Sequence, residues 1–494
     1  MSGWQVFCRT VAARGAHPAL VQGDLTLSFA ELGALARHHA AALGTLAIGQ
    51  GDRVILHLNN TPDAAALPVA LWALGAIPVF APGDLPACAL ADIASRTSAK
   101  AILSDTVEHS AAAPVWHPAA LTGAAEFTGG AGSAGGVGQG GTGSIVFTSG
   151  STGRPKGVVQ LQSTLLDGAF RVAQAVGFNA ADRLLCAVPW SHDYGWTQLL
   201  ALYRLGLTLI LPATPGLALI PAAVERHRPT VLGGVPSVYG GLTRGISDLA
   251  SRDRGSVRLI MSTGSAMPAR IWADLASLFP QARRCLNYGL TETFRSATLR
   301  AQDEPLAPGI TGSALPGSEL CIVDAAGQPL PPGQWGEIVH RGAGVFARYW
   351  DDPEQTARHR RPDPVTGTAA AVFTGDHGML DAAGRLTVGE RTDRLVKVMG
   401  LTASPLAIEE VLRRTPGVAA AAVVFRPHDI LGTELHAVLI PEPGAENLPR
   451  AAGTAAKSRL APHERPRRYH VLAALPLTAS GKVDLVALTK MISG

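Results

Sequence analysis

A loop rich in glycine, serine and threonine is the part of this 494-residue chain whose residue types most clearly suggest chemistry. It lies in the run SIVFTSGSTGRPKGVV at residues 144–159, where an apolar strand opens into the loop. Such a loop leaves backbone N–H groups and hydroxyls free to converge on an anion, and Lys156 adds a positive charge. The spacing differs from that of a Walker A loop. The loop therefore predicts a polyphosphate site, and the alternative is a flexible surface loop.

Four further motifs follow in order along the chain. They are NYGLTE at 287–292, FTGD at 373–376 with GRL at 384–386, RTD at 391–393 with Lys397 and Gly400, and PLTASGK at 476–482. In this order, and over nearly the whole length, the motifs resemble those of AMP-forming adenylating enzymes. That superfamily includes acyl- and aryl-CoA synthetases, nonribosomal peptide adenylation domains and luciferases. The chain looks most like the stand-alone acyl- or amino-acid-AMP ligases among them.

The resemblance implies an enzyme that activates a carboxylic acid with ATP. An oxygen of the acid would attack the α-phosphorus to give an acyl-adenylate, with release of pyrophosphate. The acyl group would then pass to the thiol of CoA or of a carrier-protein phosphopantetheine. Joining two anions in this way needs charge neutralisation and positioning more than acid–base groups. ATP and Mg²⁺ are the implied cofactors, and a small acyl, aryl or amino acid is the implied substrate.

The resemblance also implies which residues hold the nucleotide. Glu292 would hold Mg²⁺, Asp376 would accept hydrogen bonds from the ribose hydroxyls, and Tyr288 would lie against the adenine. The expected nucleotide-binding set comprises Thr148, Ser149, Gly150, Ser151, Thr152, Gly153, Lys156, Gly264, Ser265, Asn287, Tyr288, Gly289, Thr291, Asp376, Arg391 and Lys482.

Three residues are expected to take part in catalysis. Lys482 would bridge the carboxylate and the α-phosphate, Thr291 would contact the α-phosphate, and His192 would gate the acyl pocket. By resemblance, Asp393 is the hinge of a mobile C-terminal domain. Rotation about it would exchange the loop of Lys482 for the face near Gly400, so that the thiol can enter.

The acyl pocket is expected at His192, Asp193, Val235, Pro236 and Gly289. Asp193 has two interpretations of equal weight. In amino-acid-activating relatives an aspartate near this position pairs with the ammonium group of the substrate, since a buried cation needs a counter-charge. Otherwise Asp193 caps the helix that follows. Arg295 faces either the acyl pocket or a surface, and the sequence does not decide between them.

The composition narrows the class of protein. A formal net charge of +4, without basic clusters interleaved with aromatics, gives no reason to expect a nucleic acid partner. Five scattered cysteines without Cys-x-x-Cys spacing predict neither a disulfide framework nor a metal site. The sequence shows no long apolar run and no N-terminal leader pattern, so we expect a cytoplasmic protein that does not bind membranes.

The helices and strands expected around these motifs indicate an α/β fold. Helical patterns alternate with apolar strands up to residue 120, and a second α/β block follows at 160–280. Short strands at 309–388 predict a small β-barrel or meander, and the glycine-dense stretch at 129–143 predicts a mobile linker. The chain exceeds the size of one hydrophobic core. We therefore expect a large N-terminal domain at 1–392, with layered α/β subdomains and the barrel, and a smaller mobile α+β domain at 393–494.

Two other functions remain open. A catalytically degenerate regulatory protein would still bind the nucleotide, but the joint presence of Lys156, Glu292, Asp376 and Lys482 weighs against it. A luciferase-type oxygenase would use the same adenylation step, and no residue excludes it.

Overall fold

Two large β-sheets and the helices that cover them carry most of the motifs. The computed structural model describes residues 1–83, 85–107, 109–121, 141–148, 155–212, 217–243, 247–264, 267, 269–300, 310–391, 396–403, 405–428, 432–476, 483 and 485–492. Its α-helices are Gly3–Arg14, Phe29–Thr45, Pro62–Ala73, Ala87–Thr97, Gln162–Val176, Asp193–Leu205, Ile220–His227, Pro236–Thr243, Ala269–Leu278, Pro353–His359, Pro405–Arg413, Leu448–Arg459 and Leu485–Met491. In this part of the chain no helix has both the length and the apolar character needed to cross a membrane.

The first sheet is mainly parallel and ends in a hairpin. Its strands, in spatial order, are Arg348–Tyr349, Lys156–Leu161, Thr142–Thr148, Ile77–Ala81, Arg53–His57, Ala101–Ser104 and Val115–Trp116. Thr142–Thr148 runs parallel to Ile77–Ala81 but antiparallel to Lys156–Leu161. The two strands that flank the predicted phosphate loop are therefore neighbours, and Thr148 pairs with Lys156.

The helix Pro62–Ala73 shows why the N-terminal layers form. Thr61 Oγ1 accepts a hydrogen bond from the N–H of Ala64 at 3.2 Å, and Pro62 occupies the first turn, where its missing N–H costs nothing. Every residue from Ala64 to Ala73 is buried. A helix that is apolar on all sides must be covered on all sides. The helix consequently lies inside a core to which both sheets contribute.

The second sheet joins a parallel part to an antiparallel part. Its strands, in spatial order, are Leu25–Ser28, Pro18–Gln22, Thr208–Leu211, Arg183–Cys186, Val231–Gly234, Leu259–Ser262, Arg283–Tyr288, Ala297–Arg300, Ile310–Ala314, Leu386–Arg391, Ala370–Leu380, Trp335–Gly342 and Ser318–Val323, and Arg360–Pro362 pairs with Ala370–Leu380. Neighbours are parallel from Pro18–Gln22 to Arg283–Tyr288 and antiparallel beyond it. The antiparallel part is the region in which the sequence predicts a small barrel or meander, and it continues directly from the parallel part.

Residues from 396 onward form hydrophobic cores of their own. The strands Val418–His428, Gly432–Pro441 and Arg468–Val471 make a separate sheet, and the buried residues around them all come from this part of the chain. A separate hydrophobic core is characteristic of a domain. The predicted boundary at Asp393 and residues 129–140 of the predicted linker lie outside the described residues. The division into 1–392 and 393–494 therefore stays a prediction.

Candidate active site

One cavity of about 1050 Å³ brings many of the predicted site residues together. It lies at the carboxyl ends of parallel strands, the edge at which open α/β sheets bind ligands. The predicted residues that line it are Thr148, Lys156, His192, Asp193, Val235, Gly264, Gly289, Thr291 and Glu292. Pro236, Asn287, Tyr288 and Asp376 are described but do not line it.

Other predicted residues lie outside the described part of the chain. These are Ser149, Gly150, Ser151, Thr152, Gly153, Ser265, Asp393 and Lys482. The backbone of Arg391 belongs to the strand Leu386–Arg391 and pairs with Asp376, but its side chain is not described. The roles assigned to these residues stay predictions.

Lys156 and Glu292 are connected through Tyr349. We call the part of the cavity that Lys156 and Glu292 line the phosphate end, because both are predicted to act on the phosphates. Lys156 Nζ donates a hydrogen bond to Gln355 Oε1 at 2.8 Å and lies 5.3 Å from the centre of the Tyr349 ring, whose negative face attracts a cation. The Tyr349 hydroxyl donates to Glu292 Oε1 at 2.7 Å. The sequence alone gives no role to Tyr349 or Gln355. Residues 348–349 lie beside residues 158–159 only because their strands pair, and no local motif indicates that pairing.

Tyr288 and Asp376 contact each other beside the cavity. The Tyr288 hydroxyl donates a hydrogen bond to Asp376 Oδ2 at 2.8 Å, and Asp376 is 4% exposed. The N–H of Asp376 bonds to Thr374 Oγ1 at 3.1 Å, and Thr374 lines the cavity. The fold thus brings together the two residues predicted for adenine and ribose.

Two glycines allow the C-terminal part of the chain to form a wall of the cavity. A Cβ atom added to Gly264, whose φ is +92°, would lie 2.8 Å from the Gly400 carbonyl oxygen. A Cβ added to Gly400, whose φ is +79°, would lie 2.7 Å from Val235 Cβ. Both the left-handed backbone and the close approach favour glycine. Lys397 and Met399, which precede Gly400 in the chain, line the cavity as well.

His192 precedes the helix Asp193–Leu205 and lines the cavity as a neutral imidazole. Burial, with smaller contributions from the charges of His463 and Lys397, lowers the pKa of His192 to about 3. The segment is held tightly, since a Cβ added to Gly195 would lie 2.0 Å from the Pro189 carbonyl oxygen. Near neutral pH, His192 therefore brings no positive charge to the cavity.

Asp193 and Arg295 face each other in the cavity. We call this part of the cavity the acyl end, because Asp193 is predicted for the acyl pocket. Arg295 is 3% exposed, its Nη1 donates to Thr263 Oγ1 at 2.7 Å, and its guanidinium lies 5.3 Å from the centre of the Tyr194 ring. Nη2 lies 3.9 Å from Asp193 Oδ2, which is too far for a hydrogen bond. Burial raises the pKa of Asp193 to about 6, although the charge of Arg295 acts in the opposite direction.

This geometry decides two points that the sequence leaves open. His192 occupies the N-cap position of the helix, without a capping hydrogen bond from its side chain, and Asp193 is the first residue inside the helix. The interpretation of Asp193 as the cap is therefore wrong. The physical reason is that its carboxylate lines the cavity, where the Arg295 and Gln160 side chains interact with it. Arg295 is buried and lines the cavity beside Asp193, which is predicted for the acyl pocket, so it does not face a surface.

Comparison with known proteins shows the family. The pattern of the AMP-binding enzyme family matches residues 7–350, and that of the AMP-binding enzyme C-terminal domain matches residues 407–482. The chain belongs to the AMP-binding enzyme family.

Individual relatives agree with this assignment. The chain is 28% identical to 3-hydroxybenzoate–CoA/4-hydroxybenzoate–CoA ligase of Thauera aromatica, over 97% of this chain and 94% of the ligase. It is also 28% identical to novobiocin biosynthesis protein H of Streptomyces niveus, over 97% of this chain and 81% of that protein. Among solved structures, o-succinylbenzoate CoA synthetase of Bacillus subtilis with its product analogue OSB-NCoA superposes with a TM-score of 0.88, at 25% identity, over 99% of this chain and 98% of the synthetase.

These matches confirm the predicted family, the α/β fold and the class of enzyme. AMP-binding enzymes of this kind use ATP to activate a carboxylate as an adenylate and transfer it to the thiol of CoA or of a carrier. The protein is an enzyme of that kind.

Proposed function

We propose that this enzyme joins a small carboxylic acid to a thiol through an acyl-adenylate formed in the cavity described above. The observation that carries the proposal is that Lys156 and Glu292, at the phosphate end, line the same cavity as His192 and Asp193, at the acyl end. Adenylation requires the triphosphate and the carboxylate within one site, because holding two reactants in register removes much of the barrier.

The nucleotide would extend from Lys156, which lines the cavity, to Asp376, which lies beside it. Lys156 would neutralise the departing pyrophosphate, and the Thr148 hydroxyl would add a donor. Asp376, bonded to Tyr288, would accept hydrogen bonds from the ribose. The remaining predicted ligands in the loop at 149–153 would complete the phosphate site through backbone N–H groups.

Glu292 is the residue that would hold Mg²⁺. Its carboxylate lines the phosphate end, and the Tyr349 hydroxyl fixes one of its oxygens. Mg²⁺ prefers oxygen ligands and is commonly bound by one or two carboxylates together with substrate phosphates, so this donor set fits the ion. When bound, the ion would neutralise and orient phosphate oxygens.

The adenylation step would need Lys482 and Thr291 at the α-phosphate. The acid's oxygen would form a bond to the α-phosphorus while the bond to the β-phosphate oxygen breaks. Lys482 would stabilise the negative charge that concentrates between these groups, and Thr291 would position the phosphate. His192, being neutral, would gate the acyl pocket without competing as a cation for the carboxylate.

The described arrangement suits the second step, in which the thiol sulfur bonds to the acyl carbon and AMP leaves. The face near Gly400 forms a wall of the cavity, as the resemblance implies for thiol entry. Superposition on the synthetase that holds a CoA-ester analogue extends over 99% of this chain and supports the same interpretation. Rotation of residues 393–494 about Asp393 would bring Lys482 into the cavity for the first step.

ATP–pyrophosphate exchange tests the proposal. The purified protein is assayed with a panel of small acyl, aryl and amino acids, and exchange is expected with one class of acid. Thioester formation is then measured separately with CoA and with a holo-carrier protein, which identifies the acceptor. Absence of exchange with every acid of the panel would overturn the proposal.

A further inference from the structure

The acyl end of the cavity contains charged atoms that the chain itself leaves without hydrogen bonds. Among the described residues, Arg295 Nη2 and Asp193 Oδ1 are buried and have no hydrogen-bond partner. A buried donor or acceptor without a partner is unfavourable, and more so if it is charged. Both atoms belong to side chains that line the cavity in which the acid is proposed to bind.

The charges of the two side chains restrict what that group can be. The guanidinium and the carboxylate already face each other at 3.9 Å. Glu292 and Lys397 also act on Asp193, with opposite signs, so the charges around the pair already balance. An ammonium group on the acid would add one cation to this set, and a second carboxylate would add one anion. Either would bury an uncompensated charge, which is unfavourable in a desolvated site.

A hydroxyl group fits the separation and the chemistry. Its oxygen can accept a hydrogen bond from Arg295 and its hydrogen can be donated to Asp193. An oxygen at about 2.8 Å from each side chain is compatible with the 3.9 Å between Arg295 Nη2 and Asp193 Oδ2. An apolar group would leave both polar atoms without partners.

We infer that the acid activated by this enzyme carries a neutral hydroxyl group that binds between Asp193 and Arg295, and that this pair determines substrate specificity. The inference rests on the proposed function, because it places the acyl group in the same cavity. It sets Asp193 against a hydroxyl rather than against the ammonium group that the sequence comparison with amino-acid-activating relatives suggests.

The same side chains limit the length of the acid. Arg295 and Tyr194 also line a second cavity of about 10 Å³, which has room for a single water molecule. The two residues thus lie between this small space and the main cavity. The hydroxyl is expected near the far end of a short acid, where it meets the pair.

Pyrophosphate exchange with matched acids tests the inference. One set compares benzoate with its hydroxy, amino and carboxy derivatives, and another compares butyrate with hydroxybutyrates, aminobutyrates and succinate. For at least one position of the hydroxyl, kcat/KM is expected to exceed that of the unsubstituted acid by about 100-fold or more, as in sites built to hydrogen-bond a substrate hydroxyl. The double variant Asp193→Leu/Arg295→Met, which replaces the pair by apolar side chains, is expected to prefer the unsubstituted acid.

Arg171→Met is the matched control. Arg171 is another buried arginine, 5% exposed, which bonds to Asp167 and Ser318 and does not line the cavity. Its replacement is expected to lower stability without changing the ranking of the acids. The wild-type ranking alone decides the inference, so a double variant that does not fold leaves the test intact.

Failure of the inference and failure of the proposed function give different results. Exchange that is strongest with an unsubstituted acid, an amino acid or a dicarboxylic acid would overturn the hydroxyl inference and leave the proposed function standing. No exchange with any acid would overturn both.

Discussion

The charged side chains at the two ends of the cavity differ in their hydrogen bonding. At the phosphate end, Lys156 and Glu292 make direct hydrogen bonds of 2.8 and 2.7 Å to neutral side chains of the protein. At the acyl end, Asp193 and Arg295 remain 3.9 Å apart, and each keeps a buried polar atom without a partner. Under the proposed function, the first arrangement would serve a phosphate chain that is the same in every turnover. The second can distinguish one acid from another, because unpaired buried groups penalise the wrong ligand.

Lys156→Met should produce the largest loss. Without the ammonium, charge on the departing pyrophosphate is not neutralised, and we expect kcat/KM for pyrophosphate exchange to fall by about 10²–10³-fold, as when one stabilising donor is removed. The loss should be of similar size for every acid, since the residue acts at the phosphate end. Lys100→Met, which alters a lysine bonded to Asp52 outside the cavity, serves as the control. A loss that differs strongly between acids would contradict the separation of the two ends.

Gly400→Val should block the second step selectively. Its Cβ would collide with Val235 at 2.7 Å in the described arrangement. Thioester formation is expected to fall by about 100-fold, a typical cost of misplacing reacting groups by 1 Å, while pyrophosphate exchange is largely retained. Gly367→Val controls for backbone strain, because Gly367 also has a positive φ, +72°, but no atom within 4 Å of an added Cβ. Equal losses in both half-reactions would contradict the assignment of this face to thiol transfer.

Tyr349→Phe should have a smaller effect that is confined to the phosphate end. The substitution removes the hydrogen bond to Glu292 and keeps the ring near Lys156. Loss of one hydrogen bond to a charged group is worth about 1.5–3 kcal/mol, so KM for MgATP is expected to rise by at least about tenfold. The KM for the acid, measured at saturating ATP, should change little. A change in the KM for the acid alone would contradict the assignment of Tyr349 to the phosphate end.

His340 should affect stability rather than catalysis. Burial lowers the pKa of His340 to about 4, against an ordinary value near 6.5, and its ring bonds to Ser296 Oγ at 3.1 Å and to the Ala343 carbonyl oxygen at 2.8 Å. Between these two pKa values only the unfolded state binds the proton. The free energy of unfolding should therefore decrease as the pH falls from 6.5 to 4, by at most about 3 kcal/mol from this residue.

Urea unfolding at pH 7 and at pH 4.5 measures this contribution. His340→Gln is expected to be less stable than wild type at pH 7 but to lose less stability on acidification. Asp193 contributes with the opposite sign, because burial raises its pKa to about 6 and the folded state then binds more protons than the unfolded state. A variant with the same pH dependence as wild type would show that His340 does not titrate in this way.

The phosphate end and the fold class are largely predictable from the sequence. The strand and loop of the phosphate motif are contiguous, and the order of the remaining motifs along the chain indicates the family. Tyr349 and Gln355 are not predictable in this way, because they reach Lys156 only through the pairing of Arg348–Tyr349 with Lys156–Leu161. At the acyl end, the sequence does not decide whether Arg295 faces the pocket or a surface. It also allows Asp193 to be the cap of the following helix, and the structure shows that interpretation to be wrong.

The sequence by itself determines the chemistry common to the family, because the residues predicted to bind phosphate and ribose occur in short motifs. The tertiary structure alone decides the acyl end. Arg295 and Asp193 lie on different elements about a hundred residues apart, and their 3.9 Å separation depends on how the helix Asp193–Leu205 packs beside the turn that follows Arg283–Tyr288. Whether a charge is paired or left for a ligand depends on such distances, which no local pattern of residues specifies.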